Sequence, residues 1–239
     1  HDAVDESLAF SGYINSVYAW SGELTPTVTE ALVRGTVDPK NADAGSFTPR
    51  ANSLAFVFNT QGTAADGDTQ VEIPFLGSTN NVEVYWGDNT SSSFIGAAAS
   101  GNVTHNYSAA GIYPVEVLGD DDGTNSGLSG LKFNSSTQKT DLLRILQWGG
   151  TATWQPTSMS TVFTGCSQLQ FGPAAYTNLP DTSGITDWYN AFSSCSSVSP
   201  TFPAFDTSSA TTLQATWQFN SSLTSFPFIS TSNVTNMQQ

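Results

Sequence analysis

"FTGCSQL" occupies residues 163–169, and its frame returns in "FSSCSSV" (192–198) and "WQFNSSL" (217–223). The shared pattern is aromatic-x-x-Cys/Asn-Ser-x-aliphatic. Four residues before each aromatic stands another apolar residue: Met159, Trp188 and Leu213. A fourth copy opens at "STSNVTNM" and reaches Met237, so the apolar position recurs at intervals of 29, 25 and 24 residues. "DTSGIT" (181–186), "DTSSAT" (206–211) and "STSNVT" (230–235) mark one phase of the same period. A period of 20–30 residues with spaced apolar positions and a Cys/Asn slot predicts a leucine-rich-type β-solenoid, in which each coil buries its apolar row against its neighbours.

This repeat decides how the two cysteines are read. Cys166, Cys195 and Asn220 share one slot, and a nucleophile exchanged for Asn in the next copy would lose its chemistry. A metal site needs three or four ligands, and no His or Cys cluster stands nearby. A disulfide is harder to set aside, because stacked coils bring equivalent residues to about 5 Å. Side chains pointing the same way into a packed interior favour free thiols. The slot is expected to turn inward and bond the backbone of the bend, with Phe163, Phe192 and Trp217 as core aromatics.

Composition points in the same direction. Only 11% of the 239 residues are charged, with 20 acidic against 6 basic and a net charge of −14. The basic residues stand singly, so nothing resembles the clustered Lys and Arg that nucleic acid requires. Ser, Thr, Asn and aromatic residues replace the charges, as in extracellular β-structure, a virion exterior or a saline habitat. No run of 18 apolar residues would span a membrane. The chain lacks an initiating Met and a signal-peptide pattern and stops inside a repeat, so it reads as a section of a longer protein.

Strand signals dominate upstream. "LAFVFN" (54–59), "TQVEIPF" (69–75), "NVEVYW" (81–86) and "IYPVEVLG" (112–119) are short and rich in β-branched and aromatic residues. One helix is expected, over 25–35, with Pro26 at its first position and Gly35 as its stop. Residues 36–53 read as a linker, 54–122 as a compact β-domain and 123–239 as the repeats.

Three resemblances follow from these motifs. "GLKFNSSTQKTDLLRILQWGGTATWQPTSMSTVFTGCSQL" (130–169) closely resembles BspA-type leucine-rich surface proteins, with their Leu-x-x-Ile-x-x-Trp-Gly entry ending here at Trp148. Trp188 and Leu213 stand where that family has Met, and Trp217 where it has Phe. "VEVYWGDNTSSSFIGAAASGNVTHNYSAAGIYPVEVLG" (82–119) resembles a PKD-type β-sandwich. It carries Trp86-Gly87-Asp88, His105-Asn106-Tyr107 and Gly111-Ile112-Tyr113 at the family's hallmark positions. Asn89 replaces the last Gly of the turn, a mild change because Asn tolerates left-handed angles. Pro114, inside a strand, suggests an edge position. Phe10, Gly12, Ile14, Val17, Trp20, Leu24 and Val28 resemble the closing strands of a laminin-G/concanavalin-like jelly roll, with Asn15 where Asp is usual. Together these imply a mainly β chain: jelly-roll strands over 1–35, an Ig/PKD-like sandwich, then a solenoid. A PKD-like domain feeding a BspA-type solenoid is a combination known in marine bacterial and phage surface proteins.

The residue types that could carry chemistry have plainer readings. Asp88 could bind a ligand, but a carboxylate in a tight turn ordinarily accepts its own backbone N–H groups. His105 has no Ser or Cys partner placed by sequence. Asp120, Asp121 and Asp122, with Asp66 and Asp68, are weak candidates for Ca²⁺, though no EF-hand spacing is present. The six Glu show no pairing of the kind glycoside hydrolysis needs. Trp148, Trp154, Trp188 and Trp217 could stack sugars, but most lie at repeat or entry positions, where core packing is the default. Sequons such as Asn220 arise readily in so Asn/Ser/Thr-rich a chain.

The expectation is a non-enzymatic surface protein without a cofactor. It would bind host-surface glycan or protein from a virion fibre, a virion decoration or a bacterial surface. It would meet other structural proteins of its assembly and form homo-oligomers if a fibre. A structural spacer, and accessory domains of a secreted carbohydrate-active enzyme, are the alternatives.

Overall fold

The computed structural model describes residues 47–61, 69–76, 81–95, 101–119, 128 and 130–238. The jelly-roll strands and helix expected before residue 36, the first part of the linker, and Asp66, Asp68, Asp120, Asp121 and Asp122 lie outside the described residues. The chain is mainly β, built on two sheets, and no described helix reaches seven residues. The larger sheet contains β1 (Leu54–Asn59), β3 (Asn81–Tyr85), β4 (Ser91–Ile95), β6 (Ile112–Gly119), β8 (Leu142–Trp148) and β9 (Gln170–Phe171). The smaller contains β2 (Gln70–Leu76), β5 (Gly101–Asn106) and β7 (Gly130–Leu131). Their orders are β4-β3-β6-β1-β8-β9 and β5-β2-β7, with β8–β9 the parallel pair.

Side-chain alternation explains the layering. Leu54, Phe56 and Phe58 of β1 point to one face and meet Val71, Ile73 and Phe75 of β2 and Val115 and Val117 of β6 in one buried cluster. Ala55 and Val57 point the other way and pack with Leu146 in a smaller cluster. β1 is therefore covered on both faces, which is why it reads as a near-continuous apolar run rather than an alternating one. Each large apolar side chain buried this way contributes about 1.5–3 kcal/mol.

Four strands follow the sequence signals within a residue: β1, β2, β3 and β6. β4 ("SSSFI") and β5 ("GNVTHN") have weak strand composition and are held by partners: β4 lies along β3 from Tyr85↔Ser91 to Asn81↔Ile95, and β5 along β2.

Pro114 corrects one expectation. It lies in β6, between β3 and β1, and not on an edge strand. Thr60 N donates to Gly111 O, and because bonded pairs alternate along an antiparallel ladder, Pro114 opposite Val57 falls at a non-bonded position. Its nitrogen faces the β3 side, where pairing with β6 ends at Tyr85↔Glu116. No ladder bond is lost.

The sheets also run across the 122/123 boundary drawn from sequence. β8 lies along the free edge of β1, from Leu54↔Trp148 to Phe58↔Leu142, and β7 lies along β2. One apolar cluster continues from Leu54 to Trp217. Trp148 sits at the join: it stacks on Trp154 at 5.4 Å, meets Phe163 and Phe205 edge-on, and donates from Nε1 to Ala175 O at 2.9 Å.

Beyond residue 155 the chain forms a hydrogen-bonded ladder of repeats. Met159, Thr161, Phe163 and Gly165 donate their N–H groups to the carbonyls of Asp187, Tyr189, Ala191 and Ser193. Trp188, Asn190, Phe192 and Ser194 donate to Thr212, Gln214, Thr216 and Gln218, and Leu213 and Ala215 donate to Asn236 and Gln238. Two positions of each of the three repeats after Met159 are left-handed: Thr161, Asn190 and Ala215 (φ 59, 54 and 51°), then Gly165, Ser194 and Phe219 (φ 81, 61 and 62°). Such backbone costs a non-glycine residue about 1–2 kcal/mol, and stacking against the neighbouring repeat offsets it. Phe133, Phe163 and Phe192 form a column of rings, with centroids 5.6 and 5.3 Å apart.

Candidate functional site

Residues of the β3–β4 turn assemble with His105, Tyr107 and Tyr113 in one place. Gly87 and Asn89 take left-handed angles (φ 82 and 70°), which brings Asp88 back over the turn. Asp88 Oδ1 accepts from Thr90 N at 3.0 Å and from Thr90 Oγ1 at 2.6 Å, while Oδ2 lies 2.9 Å from His105 Nε2. His105 stacks on Trp86 at 4.8 Å and meets Tyr107 edge-on; Tyr107 in turn stacks on Tyr113. Tyr107 Oη donates to Trp86 O, Tyr113 Oη to Ala109 O, and Trp86 Nε1 to Ser92 Oγ. Burial pushes the Asp88 carboxyl up, but the Thr90 and His105 donors outweigh it and hold the group below its ordinary value. Burial, with the Asp88 charge, raises the Tyr107 phenol. Among the described residues, the polar groups named here bond the turn, a strand end or one another.

The Cys/Asn slot is also consumed by structure. Both thiols are free and buried. Cys195 Sγ donates to Phe163 O at 3.1 Å, and Asn220 Nδ2 donates to Phe192 O at 3.0 Å and to Trp217 O at 2.7 Å. The slot thus ties one repeat to the aromatic of the preceding one. Burial raises both thiols well above their ordinary value, and for Cys166 the neighbouring Cys195 adds to the shift.

The tryptophans weighed as sugar platforms are covered. Trp148, Trp154 and Trp188 have no exposed surface, and Trp217 is 7% exposed. Two glutamates that sequence left unassigned act as clasps: Glu72 Oε2 accepts from Ser136 Oγ (2.7 Å) and Thr137 N (2.9 Å), and Glu116 Oε1 accepts from Arg50 N (2.6 Å) and Ser53 Oγ (2.9 Å). Among the described residues no group of three His, Cys, Asp or Glu converges to hold a metal, and no helix is long and apolar enough to cross a membrane.

A search of family models, of curated proteins and of solved structures found none that matches this chain.

The ladder itself carries a concave site that sequence reasoning passed over. Tyr189, Asn190, Gln214, Ala215, Gln218 and Gln238 line an open cleft of about 440 Å³. Tyr189, Gln214 and Gln238 each follow the first apolar residue of their repeat (Trp188, Leu213 and Met237), so one frame position supplies one wall. That shared position is the signal available in the sequence. Tyr189 is 40% exposed, while its N–H is fixed by Asp187 Oδ1 at 2.9 Å. Gln214 is oriented by Asn236 Nδ2, which donates to its Oε1 at 2.8 Å.

Proposed function

We propose that this chain is a non-enzymatic, modular surface protein whose task is attachment, built as a PKD-like β-sandwich continued by a BspA-type leucine-rich solenoid. The observation that supports this best is how the chemically capable side chains are spent. Asp88 and His105 bond each other and their turn, Cys195 bonds a repeat backbone, and Glu72 and Glu116 clasp loops. The repeats, by contrast, present an open, uncharged cleft. Chemistry invested in rigidity, with a polar face held outward, suits recognition rather than turnover. The low charge and Ser/Thr/Asn-rich composition fit an extracellular setting, on a virion or a bacterial surface.

The test is direct binding of this section to host-surface material: whole cells, extracted surface polysaccharide and glycan arrays. Saturable binding supports attachment. No binding to any of them would leave the spacer reading, which the uninterrupted core from Leu54 to Trp217 favours on rigidity alone.

A further inference from the structure

We infer that the cleft across the repeats is a binding site for a neutral oligosaccharide, with Tyr189 as its stacking platform; this rests on the attachment reading. The residues that line the cleft exclude other ligand classes. None is Lys, Arg or His, and the chain carries a net charge of −14, so an anion would meet no counter-charge and a repulsive field. None is Asp or Glu, so a cation finds no carboxylate. The walls are polar apart from Ala215 and the Tyr189 ring, so a purely apolar ligand would leave carboxamides unpaired.

Carboxamides suit sugars because each offers two donors and an acceptor with two lone pairs, the complement of neighbouring hydroxyls. Asn190, Gln214, Gln218 and Gln238 supply four of them in one cleft. The Gln214 acceptor is engaged by Asn236, which turns its NH₂ into a positioned donor. An exposed aromatic ring supplies a flat apolar face for the C–H side of a pyranose. Successive rungs lie one strand spacing apart, about 4.8 Å, comparable to the length of a sugar ring, so a chain of sugars can follow the stack of repeats. Ala215 keeps the floor low: it is 8% exposed and its small side chain leaves the space open.

An extended peptide is a poorer fit, because it would need free backbone groups. Asn190 N already donates to Gln214 O, Ala215 N to Gln238 O, and Ser194 N to Gln218 O.

The test uses the full chain, titrated with neutral hexose and N-acetylhexosamine oligosaccharides and with sialylated and sulfated ones. Binding to a neutral oligosaccharide is expected, falling about tenfold or more in Tyr189→Ala and staying near wild type in Tyr189→Phe, as for a lost stacking contact. Gln238→Ala should weaken it severalfold. Because Tyr189 is half-exposed, thermal melts of all three variants should match the parent, which keeps folding separate from binding. Neutral-sugar binding unchanged in Tyr189→Ala would overturn the site. So would surface binding that persists under competition by the neutral sugars or on deglycosylated material, although attachment itself would then stand. No binding to any surface material or sugar would remove both.

Discussion

Cys195 directs its thiol at the carbonyl oxygen of Phe163, 3.1 Å away in the preceding repeat, and Asn220 makes the same bond to Phe192 one repeat later. The two residues are therefore interchangeable in role: each supplies a short donor that closes one repeat onto the next. Cys195→Val removes that side-chain donor and leaves the Phe163 carbonyl the Cys166 N–H, so it should cost about 0.5–1.5 kcal/mol, and Cys195→Asn, which keeps a donor in the slot, should cost less. Urea unfolding of the two variants checks this. Equal losses would mean that side-chain volume, not the donor, governs the slot.

The same burial governs reactivity. Both thiols are raised well above their ordinary value, so the thiolate that attacks an alkylating reagent is scarce near neutral pH. Native protein should give essentially no reaction with a thiol reagent at pH 8, and both cysteines should react once the chain is unfolded in denaturant. Rapid labelling of the native state would show that the repeats open.

Asp88 gives the β3–β4 turn an acid limb. Its carboxyl sits below the ordinary value near 3.8 because Thr90 and His105 stabilise the charged form. A depressed folded-state value contributes stability that is present above the unfolded-state value and lost as pH falls through the folded one. Urea midpoints measured from about pH 6 down to about pH 2 should decline through the carboxylate range, and Asp88→Asn should flatten that decline. Parallel curves for parent and variant would remove Asp88 as a cause.

Gly87 and Asn89 share one turn and one sign of φ, but not one environment. A Cβ on Gly87 would lie 2.3 Å from Pro114 O, in addition to the left-handed angle of 82°. Gly87→Ala should cost about 2–4 kcal/mol, whereas Asn89→Gly should be close to neutral. Differential scanning calorimetry separates the two. A mild Gly87→Ala would mean that β6 shifts at Pro114 without penalty.

Thr207 tests the spacer between repeats. Its hydroxyl donates to Ser230 O at 2.9 Å and accepts from Ser230 N at 2.8 Å, while Thr182 in the preceding spacer makes a donor bond to Asp206 O at 2.9 Å. Thr207→Val keeps the shape and loses both bonds, so it should cost about 1–3 kcal/mol, and Thr182→Val less. Chemical denaturation would rank them; the reverse order would show that the outer spacer contributes little.

The parts of this fold that were legible in the sequence are those fixed by side-chain type. The apolar runs at 54–59 and 112–119, and the turn residues Gly87 and Asn89, announce themselves because burial and left-handed angles select few residue types. β4 and β5 stayed hidden because Ser91–Ser93 and Asn102–Asn106 are strands only through the partners they lie against. The pairing of β1 with β8 stayed hidden for a related reason: a strand shows in its sequence that both faces are covered, but not which segment lies on its edge. Tyr189 and the carboxamides went unnoticed because each is an ordinary surface residue. Only the common repeat position makes them a row.

The β1–β8 pair has a consequence during synthesis. β1 is almost wholly apolar and buried, and the segment that lies along its second edge ends at Trp148. A ribosome working at about 5–20 residues per second reaches that point roughly 5–20 s after finishing β1. Through that interval the edge of Leu54–Asn59 is a template open to any strand nearby. The nascent chain therefore carries a time window in which crowding, slow codons or an early stop decides between a finished sheet and an aggregate. The repeats, though far from that edge in sequence, are made only after the segment that closes it.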